Sequence, residues 1–221
     1  MSHISGQKKK SVLTIYIIAF YAVWTVFEFF ITDAIDSLIP SNALSQIVKS
    51  GIIKNLVWTV SSFILISKFC VCITLKEMFT TKVNALKYLP LFILFTVYLL
   101  IGAILEKGEL ALAKDFGADE IIIVLFVGLT EEMVFRGWLL NAIITEENKW
   151  KCIIVNAVMF LVIHFPSWIH KGIFISSFTG FGFVSVVVLS VIFSLTFMKS
   201  RNILIPIALH MYWDLLMFMF Y

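Results

Sequence analysis

Charge is scarce in this sequence. Only 14% of its 221 residues are Asp, Glu, Lys or Arg, whereas 61% are hydrophobic and the mean hydropathy is +1.00, which excludes an ordinary soluble domain of this length. Cysteine is scarcer still, with three in the chain. Cys70 and Cys72 are two apart in an apolar segment and point to different faces, and Cys152 stands alone, so neither a disulfide framework nor a Cys-x-x-Cys metal site follows. There is no His-Glu-x-x-His signature and no internal repeat. What the chain has instead is apolar runs of about 20 residues, each long enough at ~1.5 Å per residue to cross a ~30 Å hydrocarbon core. It reads as one integral-membrane domain over residues 1–221, an all-α polytopic helix bundle of about seven transmembrane helices.

Lys8-Lys9-Lys10 precedes a first run over residues 11–32. That run is too long for the h-region of a signal peptide and no small-residue cleavage site follows it, so it reads as an uncleaved span with a cytoplasmic N-terminus. Glu28 within it reads as an interfacial carboxylate near the outer end. A polar connection at 33–50, with Pro40 as breaker, leads to a second span over about 51–75. After Lys76, Lys82 and Lys87 a third span begins near Leu89, with Pro90 in the first turn where proline is tolerated. The mixed-charge stretch from Glu106 to Glu120 separates it from a fourth, in the apolar run 121–144. The fifth occupies about 152–165, closed by Pro166. Residues 167–182 are too polar to span and read as an interfacial or lid loop. A sixth span fits 183–198, and a seventh runs from about 203 to 221. His3 and His170 fall outside the spans and receive no role. This threading places 12 of the 17 Lys and Arg on the cytoplasmic side, which supports an inside N-terminus and makes the net charge of +3 a topology signal rather than a nucleic-acid footprint.

The fourth run is interrupted by Glu131-Glu132-Met133-Val134-Phe135-Arg136. An ionisable side chain at the centre of a membrane helix costs ~2.5–3.5 kcal/mol by insertion scales, so such groups rarely persist without partners or a job. Glu132 and Arg136, four apart, share a helix face and can pair. Glu131, rotated by ~100° from Glu132, is left free for chemistry. Two further four-residue spacings lie in later spans: Phe160 to His164 in the fifth and His210 to Asp214 in the seventh. Each places both members on one helix face, toward the bundle interior. Counting residues along the spans brings Glu131, His164, His210 and Asp214 to a similar depth. A lone membrane histidine has a plainer reading, a bond to a backbone carbonyl of a neighbouring helix. Gly128, one turn before the carboxylates, permits close backbone approach, and Pro206 is expected to kink the seventh span.

Glu131-Glu132-x-x-x-Arg136, then Phe160-x-x-x-His164, then His210-x-x-x-Asp214, in this order on three membrane helices, resembles the CPBP family of CAAX prenyl endopeptidases and bacteriocin-processing enzymes, also called the Abi family. The likeness covers the C-terminal half, about 119–221. It implies an intramembrane glutamic endopeptidase without an obligatory metal cofactor. By that likeness Glu131, assisted by His164, deprotonates the attacking water, while His210 and Asp214 sit where the oxyanion develops. Glu132 and Arg136 hold the geometry, with Phe160 in support. Many members carry Asn where this chain has Asp214, which leaves that residue as a protonated donor or as the anionic partner of His210. The implied work is bacteriocin-type peptide maturation, self-immunity or CAAX-like processing, with a peptide or membrane-protein substrate and the lipid bilayer as partners. Three rivals remain open on the residues. They are a zinc protease using Glu, His, His and Asp as ligands, a proton-coupled transporter, and a non-catalytic immunity protein.

Overall fold

The computed structural model describes residues 6–69, 71–180 and 182–221; His3 and Cys70 lie outside the described residues. The long helices, in order, are α1 (Gln7–Leu38), α2 (Asn42–Lys68), α4 (Ala85–Lys107), α5 (residues 118–143), α6 (Lys149–His170), α8 (Gly182–Ser200) and α9 (Leu204–Phe220), with the short α3 (Leu75–Thr80) and α7 (Phe174–Thr179) between them. No strand occurs among the described residues. Among the described residues five helices, α1, α2, α4, α6 and α8, are long and apolar enough to cross a membrane, and α9 is a shorter apolar helix. The length of α5 is sufficient, but Glu131, Glu132 and Arg136 dilute its apolar character.

The expected boundaries shift at three places, each for a local reason. The polar connection expected at 33–50 shrinks to 39–41 around Pro40, because the flanking polar turns remain helical. They do so by pairing sideways: Lys49 Nζ lies 2.7 Å from Asp36 Oδ1, and Ser41 caps α2 by accepting from the Leu44 backbone N–H. The second span stops at Lys68 instead of 75. Here the side chain of Asn141 substitutes for helical bonds, its Oδ1 accepting from Ile73 N–H and its Nδ2–H donating to Ile73 O, both at 2.7 Å. A capping box between Thr74 and Glu77 then starts α3. Hydrogen bonds from the Thr74 backbone and hydroxyl, with Arg201 nearby, hold the exposed Glu77 carboxyl down to about 2.

Pro166 does not close the fifth span. The helix relaxes at Ile163 and continues to His170, with the Ile163 carbonyl taken up by Trp24 Nε1–H from α1 at 2.8 Å. The segment expected as a loop after it contains α7, whose Phe174 and Phe178 pack edge-on against Phe165. Nor does Pro206 need a kink, because it lies in the first turn of α9, where backbone N–H groups have no helical acceptor.

Three stretches widen into π-type turns: Phe27–Ile31 in α1, Ile47–Thr59 in α2 and Met133–Leu140 in α5. Such turns recur at functional sites because they reaim side chains. All three converge on one aromatic core in which Trp58 meets Phe20 and Phe27 edge-on, and Phe135 meets Phe20 and Phe160. At Gly128, a Cβ would stand 2.8 Å from Met211 Cγ, so only glycine lets α5 and α9 approach this closely. Glu132 lies one turn beyond Gly128, and His210 is next to Met211 in the chain.

Candidate active site

Arg136 is the anchor of the site. It is fully buried with Glu132, and its Nη1–H donates to Glu132 Oε1 at 2.9 Å. Its Nη2 donates to the Ser190 backbone O at 3.0 Å and to Ser190 Oγ at 2.7 Å, which binds α8 to α5. The guanidinium plane also lies 4.5 Å from the centroid of Phe160 and 5.4 Å from that of Phe193. A buried pair is tolerated better as more of its polar atoms are occupied: Ser190 takes Nη2 and the two rings cover the guanidinium, while Arg136 Nε and Glu132 Oε2 stay buried without a hydrogen-bond partner. Ser190 carried no spacing that would single it out in sequence.

The same Glu132 oxygen accepts from His210 Nδ1–H at 2.9 Å. That bond fixes which ring nitrogen bears the proton and turns Nε2 toward two other carboxylates, Asp214 Oδ2 at 3.5 Å and Glu131 Oε2 at 3.9 Å. Stacked on Phe193 with ring centroids 5.0 Å apart and met edge-on by Phe160, the His210 ring has little freedom to turn. His164, on α6, donates through Nδ1–H to the Phe160 carbonyl at 2.7 Å, which leaves its Nε2 lone pair available. The partner is a carbonyl of its own helix, one turn back.

Glu131 and His164 share the wall of a cleft of about 180 Å³ whose other side is built by α1 and α2, including Glu28, Lys49 and Lys54. Glu28 is therefore no interfacial carboxylate. It is buried, 3.6 Å from Lys54 Nζ. Lys54 is held over the ring of Trp24 at 4.4 Å, and its charge also interacts with that of Glu131. The signal for Lys54 was a lysine three residues into the expected second span; for Glu28 it was a carboxylate in the same run as Trp24 and Phe27.

Glu131, Glu132, Arg136, Phe160, His164, His210 and Asp214 thus form one connected cluster drawn from α5, α6 and α9. Among the described residues no group of three or more His, Cys, Asp or Glu side chains is gathered as metal ligands would be.

A helical, apolar chain with buried and half-buried carboxylates and histidines gathered on three helices defines a class, the multi-pass membrane proteins with a polar site inside the bundle. Comparison narrows it. Residues 118–216 match the model of the family described as Rce1-like, type II CAAX prenyl endopeptidase Rce1-like. The chain therefore carries an Rce1-like type II CAAX prenyl endopeptidase domain of the CPBP/Abi family, a family of intramembrane peptidases. No curated protein and no solved structure matches the chain. The matched stretch holds every member of the buried cluster, while α1 to α4, with Glu28 and Lys54, precede it.

Proposed function

We propose that this protein hydrolyses peptide bonds within the membrane by means of a water activated at Glu131. The reading adds to the family membership a division of labour. Glu131 takes a proton from water as the resulting hydroxide attacks the scissile carbonyl, with His164 Nε2 holding the water and later relaying a proton to the leaving amine. His210 Nε2 and Asp214 stand beside Glu131, where the carbonyl oxygen gains charge in the tetrahedral intermediate. Glu132, Arg136 and Phe160 set the orientation of the His210 ring. The chain crosses the membrane seven times, counting α1, α2, α4, α5, α6, α8 and α9, with a cytoplasmic N-terminus. Its substrates are peptides or membrane-protein segments handled in bacteriocin-type maturation, self-immunity or CAAX-like processing.

The observation that carries this reading is the position of Glu131: it faces a cleft with His164 on one side and lies within 4 Å of His210 on the other. A transporter has no comparable support, since the sequence carries no internal repeat of the kind transporters are built from. The test is hydrolysis of peptides and membrane-anchored substrates by protein reconstituted in liposomes. Glu131→Gln keeps the shape but accepts no proton, so it should lose ~10²–10⁴-fold in rate with an unchanged melting temperature, and His164→Ala should lose nearly as much. Wild-type turnover by Glu131→Gln would end the proposal.

A further inference from the structure

A second cavity, unused by the mechanism, lies where the first turns of α1 meet the end of α5 and the start of α6. Its volume is about 620 Å³, with Lys9, Lys10 and Lys151 at its rim and Leu13, Ile143 and Val155 among its walls. A smaller void of about 20 Å³ shares Leu13, Ile143 and Val155 and reaches Ile17 and Met159. Leu13 to Ile17 on α1 and Val155 to Met159 on α6 are each four residues, so the two voids form one wedge that narrows over ~6 Å along both helices. The taper has a cause. α1 is tied to α6 at the deep end, where Tyr21 Oη–H donates to Met159 O at 2.6 Å and Trp24 Nε1–H to Ile163 O. At the shallow end, Asn148 turns to its own backbone, its Oδ1 accepting from Thr145 N–H and its Nδ2–H donating to Ile143 O, while Glu146 and Glu147 of the same connection are exposed and do not line the cavity. Trp150, 62% exposed beside Lys151, is placed as interfacial tryptophans are, so the rim lies at headgroup level and the furrow points into the hydrocarbon.

A cationic rim above an apolar furrow is the complement of an amphiphile with an anionic head. We propose that this wedge is a binding site for an anionic phospholipid, its phosphate at Lys10 and Lys151 and one acyl chain lying between Leu13, Ile143 and Val155. A soluble anion would leave the apolar walls unfilled. A zwitterionic lipid would bring its own cation to a lysine rim, so headgroup charge is the selecting feature. The occupant joins the loose end of α1 to α6, and the deep end of the same α1 helix delivers Trp24, Phe27 and Glu28 to the cleft. The proposal does not depend on the peptidase reading.

The test uses the whole protein in neutral detergent, titrated separately with phosphatidylglycerol, phosphatidylcholine of the same chains, and inorganic phosphate, and read by native mass spectrometry and by the thermal midpoint. Phosphatidylglycerol should bind and raise the midpoint, phosphatidylcholine should bind far more weakly, and phosphate should do neither. The Lys10→Gln/Lys151→Gln variant should weaken phosphatidylglycerol binding by roughly 30-fold, the loss of two lysines' attraction to an anionic headgroup. Val155→Trp, which fills the furrow and leaves the lysines in place, should weaken it as well. Equal binding of the two lipids by the wild-type protein, which requires no variant to fold, would overturn the site. A shift reproduced by phosphate alone, or undiminished binding by both variants, would do the same.

Discussion

His210 Nδ1 and Glu132 Oε1 stand 2.9 Å apart, and that carboxylate oxygen also receives Arg136 Nη1–H at the same distance. One atom of α5 therefore orients the imidazole of α9 and neutralises the guanidinium that holds α8 through Ser190. The orientation of the His210 ring and helix packing are joined at this point, so a change at Glu132 cannot affect one alone.

The pair should behave as a buried one. Removing either partner strands a charge in a dry interior, which typically costs ~3–5 kcal/mol. Arg136→Ala should thus lower the thermal midpoint and the membrane yield together with activity, and Glu132→Gln should do likewise while releasing the His210 ring. Thermal melts in detergent alongside peptide hydrolysis check this. Lost activity with unchanged stability in Arg136→Ala would mean that the guanidinium touches substrate directly.

Much of this cluster was legible in the sequence because membrane helices are easy to read at their interruptions. Glu131, Glu132, Arg136, His164, His210 and Asp214 stand out against apolar runs, and a four-residue spacing assigns each pair to a face. Other features had no such contrast. Ser190 is one of several serines on α8, and its role as acceptor for Arg136 depends on how α8 crosses α5. Asn141 ends the second span from a distance of 68 residues in sequence, which no local pattern announces. Pro166 read as a stop because proline removes a helical donor. The helix nonetheless continues to His170, and the indole of Trp24, from another helix, bonds the carbonyl of Ile163 within that turn.

Glu28 and Lys54 offer a prediction of a different kind. They pair at 3.6 Å inside the cleft that Glu131 and His164 face, outside the stretch that matches the family. If the pair only ties α1 to α2, the double variant Glu28→Gln/Lys54→Met should restore both the stability and the activity that each single change removes. Their place on the cleft wall predicts a split: stability recovers in the double variant, while KM for peptide stays raised several-fold. A KM that returns to the wild-type value would reduce the pair to a structural tie.

Metal dependence separates the glutamate mechanism from its nearest rival. Activity should survive exhaustive chelation, and elemental analysis of active protein should find no stoichiometric zinc. One zinc ion per active chain, lost together with activity on chelation and restored with it, would instead make Glu131 and His164 candidates for ligation.

The last prediction concerns Asp214, which occupies a position where many relatives by resemblance carry Asn. Its Oδ2 lies 3.5 Å from His210 Nε2, a separation that fits either of two states. As a protonated acid, Asp214 donates a hydrogen bond to the developing oxyanion; as a carboxylate it cannot donate, would repel that oxyanion, and serves only to hold His210 charged. Glu131 Oε2, 3.9 Å from the same His210 nitrogen, brings another carboxylate to the same imidazole. Only the donor state stabilises a developing oxyanion, which makes it the expected one. Asp214→Asn tests this because the amide donates without titrating. It should keep most of the wild-type rate near neutral pH and retain activity further into the alkaline range, where an aspartic acid would lose its proton. An anionic partner behaves otherwise: the same substitution would weaken His210 and lower the rate at every pH. A pH–rate profile that falls uniformly below wild type, with its alkaline limb unmoved, would assign Asp214 to the histidine and leave His210 Nε2–H as the oxyanion donor.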